Sequence, residues 1–229
     1  MRISPRFLAS LVAVTTSAVA THAFAQERAD TGSPCSRAEF ARAFDLPDDL
    51  AHVFVGERLA DGGIFAAASA NSVPAGDTAR LDVRLARLSS CTAQPSWTAT
   101  RTLGSNNPGD AVSGILGMAD GLALRILRED SLGPGWLRVG VISQFGEDFA
   151  TTTELVMLYR VAGSDAPALV WSGIGSTNEN QNEACVVDHV VEFRRVDAST
   201  LMRVDLASST PRNRECRTVA ARTVRIRVP

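Results

Sequence analysis

Apolar and polar residues alternate along most of the chain from His52 onward, which is the pattern of β-strands with one buried face. Turn-forming groups such as Asp61-Gly62-Gly63 and Gly133-Pro134-Gly135 separate the alternating segments. Between Leu155 and Leu158 every residue is apolar, which predicts a central strand covered on both faces. The alternating segments carry their apolar residues at Leu81, Val83, Leu85, Trp97, Ala99, Leu103, Leu122, Leu124, Ile126, Leu137, Val139, Val141, Val224, Ile226 and Val228.

The alternating segments predict an all-β fold. We expect an antiparallel sandwich or barrel of about a dozen short strands with a short N-terminal helix. A small β-propeller is the alternative, because Leu85-Ala86-Arg87-Leu88 and Leu158-Tyr159-Arg160-Val161 are similar and their spacing fits a repeat of about 36 residues. The same similarity arises when strands of any antiparallel meander end in an apolar pair and an outward arginine, and we favour that interpretation.

A short helix is predicted over residues 36–45, before the strands begin. Ser36 and Glu39 have the spacing of a capping box, in which each side chain binds the other residue's backbone amide. Phe40 and Phe44 share one helix face, so we expect this pair to pack on the main domain. Pro47 then ends the helix. We assign residues 35–229 to a single all-β domain that includes this helix.

Residues 1–25 have the pattern of a secretory signal peptide, with Arg2 and Arg6 before a mostly apolar stretch and Ala23-Phe24-Ala25 as the cleavage site. The apolar stretch is shorter than the roughly 20 residues that span a bilayer, and we expect no transmembrane segment after cleavage. Residues 26–34 are small and polar and are predicted to form a flexible leader. The mature protein is therefore expected in the periplasm or outside the cell, and its arginine-only usage is typical of a GC-rich bacterial genome.

Four cysteines remain after cleavage, and an even number in an exported chain predicts two disulfides. Three connectivities are possible. We favour Cys35–Cys91 with Cys185–Cys216, because this choice closes the shorter loops. The chain has no C-x-x-C motif, so the cysteines support neither a thioredoxin-type site nor a zinc ribbon, and no metal site is predicted.

The composition excludes several chemistries. The 229 residues carry a net charge of −2, and all 23 basic residues are arginine. The lack of lysine excludes Schiff-base catalysis and a P-loop. The weak net charge, the export signal and the presence of a single tyrosine, Tyr159, argue against a nucleic-acid partner. The Gly173-Ile174-Gly175 segment precedes no predicted helix, so we predict no nucleotide site and no cofactor.

The most polar stretch of the chain spans residues 176–183 and is predicted to be a loop between strands. Its side-chain oxygens could bind Ca²⁺ or sugar hydroxyls, although the spacing of a known calcium loop is missing. A solvated loop without a ligand is the alternative. The candidate ligand-binding residues are Asn178, Glu179, Asn180, Asn182 and Glu183.

The C-terminal segment from Pro211 to Pro229 is rich in arginine. Arg225 and Arg227 fall on one face of a predicted strand and could form a stripe that binds a polyanion, such as an acidic polysaccharide or a lipid head group. The alternative is an edge strand whose charges prevent aggregation, and that role is the commoner one.

No catalytic constellation is evident, and we assign no catalytic residue. His52 and His189 are the histidines of the mature chain, and the pair Asp188 and His189 cannot converge on one ion from consecutive strand positions. We therefore predict an exported non-catalytic β-domain that binds a macromolecular partner, such as a protein or an envelope polysaccharide, through its loops. The alternatives are a secreted hydrolase with a site near Asp188 and His189, and a small propeller-like scaffold protein.

Overall fold

The computed structural model describes residues 33–48, 52–75, 78–104, 116, 121–145, 151–162, 166–181, 185–211 and 222–228. These residues lie in one compact unit, Gly32–Pro229. The predicted signal peptide (1–25) and nearly all of the predicted leader (26–34) fall outside them. The described elements are helix α1 (Arg37–Phe44), a 3-10 turn (Asp130–Leu132) and strands β1 (Phe54–Arg58), β2 (Ile64–Ala75), β3 (Thr78–Leu88), β4 (Trp97–Leu103), β5 (Gly121–Arg128), β6 (Trp136–Phe145), β7 (Thr151–Arg160), β8 (Ala168–Gln181), β9 (Cys185–Arg195), β10 (Thr200–Pro211) and β11 (Arg222–Arg227).

The strands form two antiparallel sheets, and within each sheet every strand pairs with its neighbours in sequence. The first sheet has the order β1-β2-β3-β4, and the second has the order β11-β10-β9-β8-β7-β6-β5. The predicted antiparallel sandwich is confirmed. The propeller alternative is wrong as an architecture, because β5 to β11 form one continuous seven-stranded sheet rather than separate four-stranded blades. Some strands are longer than the pattern predicts, and β8 reaches 14 residues.

The sandwich core lies between the two sheets. Phe65, Val83 and Leu85 of the first sheet pack against Val139 and Met157 of the second, and all five are almost completely buried. These positions belong to the alternating apolar series, so the period-two pattern identified the buried face correctly. Burial of this face supplies the main apolar driving force for joining the sheets.

Strand β7 is buried on both faces, as its uninterrupted apolar run predicts. Leu155 and Met157 face the sandwich core, whereas Leu158 contributes to a second apolar cluster. Val156 is likewise buried. A central strand covered on both sides explains why this segment does not alternate in polarity.

Helix α1 packs on the outer face of the four-stranded sheet. The predicted capping box is confirmed, because the Ser36 side chain accepts from the Glu39 amide and the Glu39 carboxylate accepts from the Ser36 amide. Phe40 and Phe44 are buried against that sheet. A side chain at Gly56 would approach the Phe40 ring to 2.5 Å, so the lack of one lets the ring lie on β1. The Cys35–Cys91 disulfide then joins the start of the helix to the turn after β3.

The seven-stranded sheet bends back on itself beyond β8. Trp136 and Leu158 project away from the sandwich core, and they are buried against Val191, Phe193 and other side chains of the last three strands. Strand β11 also lies close to β8, although β9 and β10 separate the two strands in the sheet order. The last three strands therefore cover the outer face of the sandwich with one of their faces and leave the other directed outward.

Tyr159 gives a direct test of the core, because it is the only tyrosine in the chain. Burial raises the pKa of its phenol, and the hydrogen bond that Arg101 Nε donates to its Oη over 3.2 Å opposes this only in part. The stabilisation from the neutral phenol is therefore complete below the unfolded pKa of about 10 and is lost as the pH rises through the higher folded value.

We expect the tyrosinate absorbance of the folded protein to appear at higher pH than that of the urea-unfolded chain. Tyr159→Phe should remove the corresponding decrease in stability above a pH of about 10. Coincident titration curves for the folded and unfolded chains would show that the phenol is accessible to solvent.

Candidate functional site

The polar stretch 176–183 is mostly strand, which corrects the predicted loop. Residues up to Gln181 belong to β8, where Asn178 lies opposite Thr152 of β7 and Asp188 of β9. The sequence pattern failed here because the two flanking strands satisfy the backbone hydrogen bonds even though the side chains offer no apolar face. Asn178 is exposed, so it remains a candidate ligand contact.

The other candidates in this stretch are described less fully. Glu179 and Asn180 pair with Val187 and Val186 through their backbones, and their side chains fall outside the described part of the structure. Asn182 and Glu183 lie outside the described residues, and so does Cys216 of the second predicted disulfide. The first predicted disulfide, Cys35–Cys91, is confirmed.

The pair Asp188 and His189 occupies consecutive positions of β9. His189 is half-buried and lies opposite Thr177 of β8 and Ala207 of β10. The hydrolase alternative stays a prediction.

A cluster of three potential metal-ligating side chains does occur in the described residues, at Cys35, Glu39 and Cys91. The two sulfurs are joined to each other in the disulfide and are therefore not thiolate ligands. Hydrogen bonds from Ser36 lower the pKa of the Glu39 carboxyl group, whose role is to cap α1. The cluster serves the attachment of the helix.

Arg225 and Arg227 lie on β11, at the edge of the seven-stranded sheet, and both are exposed. Arg225 lies opposite Met202 of β10, and Met202 lies opposite Arg194 of β9. Residues directly opposite one another share a face, so Arg194 and Arg225 flank Met202 in one row across three strands. Arg227 falls in the next row, opposite Thr200.

The outward side of β9, β10 and β11 is named here the C-terminal face. Its register continues with Val204 between Glu192 and Thr223, and then with Leu206 opposite Val190. The face thus has apolar side chains along its length and arginines concentrated at one end. Its described members are Val190, Glu192, Arg194, Val196, Thr200, Met202, Val204, Leu206, Thr223, Arg225 and Arg227.

Strand β10 has charged residues at two of its inward positions and apolar residues at outward ones. Its outward positions include Met202 and Val204, whereas the inward positions Arg203 and Asp205 carry charge. Arg203 Nη2 donates to Asp205 Oδ2 over 2.9 Å, and the Arg203 guanidinium lies over the Trp171 ring. Leu201, which also faces inward, is 1% exposed, so the inward face of β10 is polar only in part.

Two of the outward apolar residues are exposed, whereas Met202, Val204 and Leu206 are half-buried. Val190 is 42% exposed and Val196 is 50% exposed, which makes them two of the three large hydrophobic residues that are exposed in the described chain. On the same face Glu192 accepts from Arg194 at 3.2 Å, whereas Arg225 and Arg227 have no ion-pair partner among the described residues. The face therefore presents accessible apolar surface beside uncommitted positive charge.

Sequence reasoning identified Arg225 and Arg227 but missed Val190, Arg194 and Met202. The sequence did contain an indication of this face. β9 and β10 carry apolar residues at both odd and even positions, and a strand that is apolar on both faces is typical of one that packs against other groups on both sides. Which face lies outward depends on the bend of the sheet, and that bend has no sequence signature.

Comparisons of the chain with protein-family models, with curated proteins and with solved structures give no match.

Proposed function

We propose that this protein is an exported, non-catalytic binding domain that docks on an anionic lipid surface of the cell envelope through the C-terminal face. One observation carries the proposal. The outward side of β9 to β11 combines exposed valines and Met202 with the arginines Arg194, Arg225 and Arg227. No described helix is long and apolar enough to cross a membrane.

The mixture of apolar and cationic groups favours lipid over the polysaccharide considered from sequence. An acidic polysaccharide would engage the arginines but would leave Val190, Val196 and Met202 in water. An anionic leaflet offers phosphate groups for the guanidiniums and an apolar interior for the short side chains beside them. Each arginine near such a surface contributes about 1 kcal/mol, and apolar insertion adds to this in proportion to the area buried.

Export is part of the proposal and rests on separate support. The first 25 residues have the pattern of a signal peptide, and the Cys35–Cys91 disulfide fits an oxidising compartment. The face would then meet the envelope from the periplasm or from outside the cell.

Vesicle sedimentation tests the proposal. The purified mature protein should bind vesicles of phosphatidylglycerol and phosphatidylcholine but not vesicles of phosphatidylcholine alone. The double variant R225Q/R227Q should bind about thirtyfold more weakly, because two contributions of about 1 kcal/mol are lost. Binding should also fall when the salt concentration rises from about 0.1 M to 1 M, since the screening length then shrinks to about 3 Å.

Arg222 provides a matched control. It is exposed on the same strand, but its parity in β11 places it on the opposite face from Arg225. Arg222→Gln should therefore leave vesicle binding almost unchanged, whereas V190S/V196S should weaken it about threefold or more by removing apolar contact. Equal losses in R222Q and in R225Q/R227Q, or binding to an acidic polysaccharide but not to vesicles, would refute the lipid proposal.

A further inference from the structure

Strand β4 forms one edge of the four-stranded sheet. It pairs with β3 on one side, and no strand that the structure describes pairs with its other side. The edge of a sheet offers backbone amides and carbonyls to any extended chain that lies beside it, and proteins usually protect such edges. Whether β4 is protected therefore decides whether it is available to a partner.

The other three sheet edges are protected. Strands β1 and β5 lie beside each other, and Arg128 of β5 joins them by donating to Glu57 Oε1 over 2.7 Å and to Arg58 O over 2.6 Å. Edge strand β11 lies close to β8 and carries the exposed Arg225 and Arg227. Closing two edges against each other and placing charge on a third are both ways of preventing association between sheets.

Strand β4 lacks these protections. It contains neither lysine nor proline, and its pairing with β3 runs from Trp97 to Leu103 without a register shift. Its only charged residue, Arg101, faces the core, where its Nε donates to Tyr159 Oη over 3.2 Å. The outward row of β4 consists of three exposed threonines, Thr98, Thr100 and Thr102. Threonine is a residue that favours strands, so this row suits pairing with a further strand.

The length of β4 selects one way of pairing with a second copy of itself. When the two strands run antiparallel with Thr100 opposite its own equivalent, all seven residues of each strand are paired. A shift by two residues in either direction leaves five pairs. Such a shift also places Arg101 opposite either the same arginine or Trp97 of the second copy. The register centred on Thr100 is therefore the one that uses the whole edge.

The residues of β4 match in this register. On the outward face Thr98 lies opposite Thr102 of the second copy, and threonine pairs are favourable between antiparallel strands. On the inward face Trp97 lies opposite Leu103, which pairs two large apolar residues. Arg101 lies opposite a small residue, alanine, so no two like charges face each other across the edge.

We infer that this protein forms a symmetric dimer in which β4 of two copies pair antiparallel about Thr100. The two four-stranded sheets then form one eight-stranded sheet, with the same strand contributed by each copy. A strand of this length extends about 24 Å and gives about six to eight hydrogen bonds to its partner. The contact is small beside the roughly 1,200–2,000 Å² of a stable interface, so the dimer is a reversible one.

Analytical ultracentrifugation of the mature protein tests the inference. The weight-average mass should rise from that of one chain toward that of two between about 1 µM and 1 mM. Thr100→Glu and Thr100→Lys should each raise the dissociation constant about fivefold, because each places like charges opposite one another on the twofold axis. An equimolar mixture of the two variants pairs opposite charges and should recover the dimer.

The folding of the variants is checked by their thermal unfolding. Thr100 is exposed and lies opposite Arg84 of β3, so a carboxylate at this position is compatible with the fold of one chain. Thr100→Glu therefore keeps the test valid even where Thr100→Lys, which brings a second cation beside Arg84, lowers the stability of the monomer.

Cysteine substitution tests the register. Thr100→Cys places the two sulfurs opposite each other on the twofold axis, so mild oxidation should cross-link two chains above the wild-type background. Thr98→Cys is the matched control, because its equivalent lies about 14 Å away along the second strand, whereas a disulfide spans about 7 Å at most between Cα atoms. A mixture of Thr98→Cys and Thr102→Cys should cross-link, since these positions face each other.

Three results would overturn the inference. They are a mass that stays that of one chain at about 1 mM, dimerisation of Thr100→Glu and Thr100→Lys as tight as that of the wild type, and equal cross-linking of Thr100→Cys and Thr98→Cys. A protein that stays monomeric would leave this edge to a different extended partner. The inference is independent of the lipid proposal, because R225Q/R227Q lies on the other sheet and should dimerise normally.

Discussion

Replacing Cys35 and Cys91 together by alanine is expected to lower the free energy of unfolding by about 4 kcal/mol. The two cysteines are 56 residues apart, and opening a loop of that length releases the unfolded chain from a large entropic constraint. The bond also holds the start of α1 against the four-stranded sheet. Helix α1 has eight residues, too few to be stable away from its packing surface.

Urea unfolding of C35A/C91A and of the wild-type protein measures this loss. Ser36→Ala is the matched control, because it removes the cap of the same helix and should cost only about 1 kcal/mol. The dependence of the unfolding free energy on urea should rise in C35A/C91A, since its unfolded chain exposes more surface. A loss no greater than that of Ser36→Ala would show that the bond does not constrain the unfolded chain as proposed.

The features that the sequence predicts well are local ones. The capping box needs only Ser36 and Glu39 at the right spacing, and the alternating apolar residues identify the buried face of β3, β5 and β6. The Cys35–Cys91 bond follows from the number of cysteines together with a preference for short loops. In each case the physical cause lies within a few residues or in chain connectivity, so one sequence is enough.

The features that escaped prediction depend on how the strands are arranged in space. Residues 176–181 lack apolar alternation, but β8 lies between β7 and β9 and is held there by backbone hydrogen bonds. The identity of the outward face of β10 depends on the bend that packs Phe193 over Trp171. A cleft lined by Leu59, Pro134 and Val161 is formed by three segments that are distant in sequence. Neither hydrophobic periodicity nor a sequence motif predicts that these segments lie next to one another.

Two glycines, one on β6 and one on β8, lie on either side of β7 and make room for a buried charge cluster on its outer face. Glu154 is 3% exposed, and its Oε1 accepts from Arg125 Nε over 2.7 Å, while Arg138 Nη2 lies 3.7 Å from its Oε2. This carboxylate raises the pKa of the Arg125 guanidinium. A side chain at Gly140 would lie 2.1 Å from Glu154 Oε1, and one at Gly175 would lie 2.8 Å from Arg138 Nη2.

Glu154→Gln is expected to lower the free energy of unfolding by about 3 kcal/mol, because it removes the buried negative charge that pairs with both Arg125 and Arg138 and leaves Arg138 with Glu129, 3.8 Å away, as its remaining carboxylate in the described structure. Glu192→Gln is the matched control. Glu192 pairs with Arg194 at a similar distance but on the exposed C-terminal face, where such a pair contributes at most about 1 kcal/mol. Urea unfolding of both variants measures the contrast, and equal losses would show that burial does not strengthen the cluster.

A double-mutant cycle of Gly140→Ala and Glu154→Ala then tests whether the Glu154 carboxylate is the reason for a glycine at position 140. Gly140→Ala should cost about 1–3 kcal/mol in the wild-type protein, because its methyl group displaces the Glu154 carboxylate from Arg125. In the Glu154→Ala background the carboxylate is gone, so the same substitution should cost much less. Residues in direct contact typically show such non-additivity of about 0.5–3 kcal/mol. Additive losses would mean that Gly140 is required by the backbone of β6 rather than by the carboxylate above it.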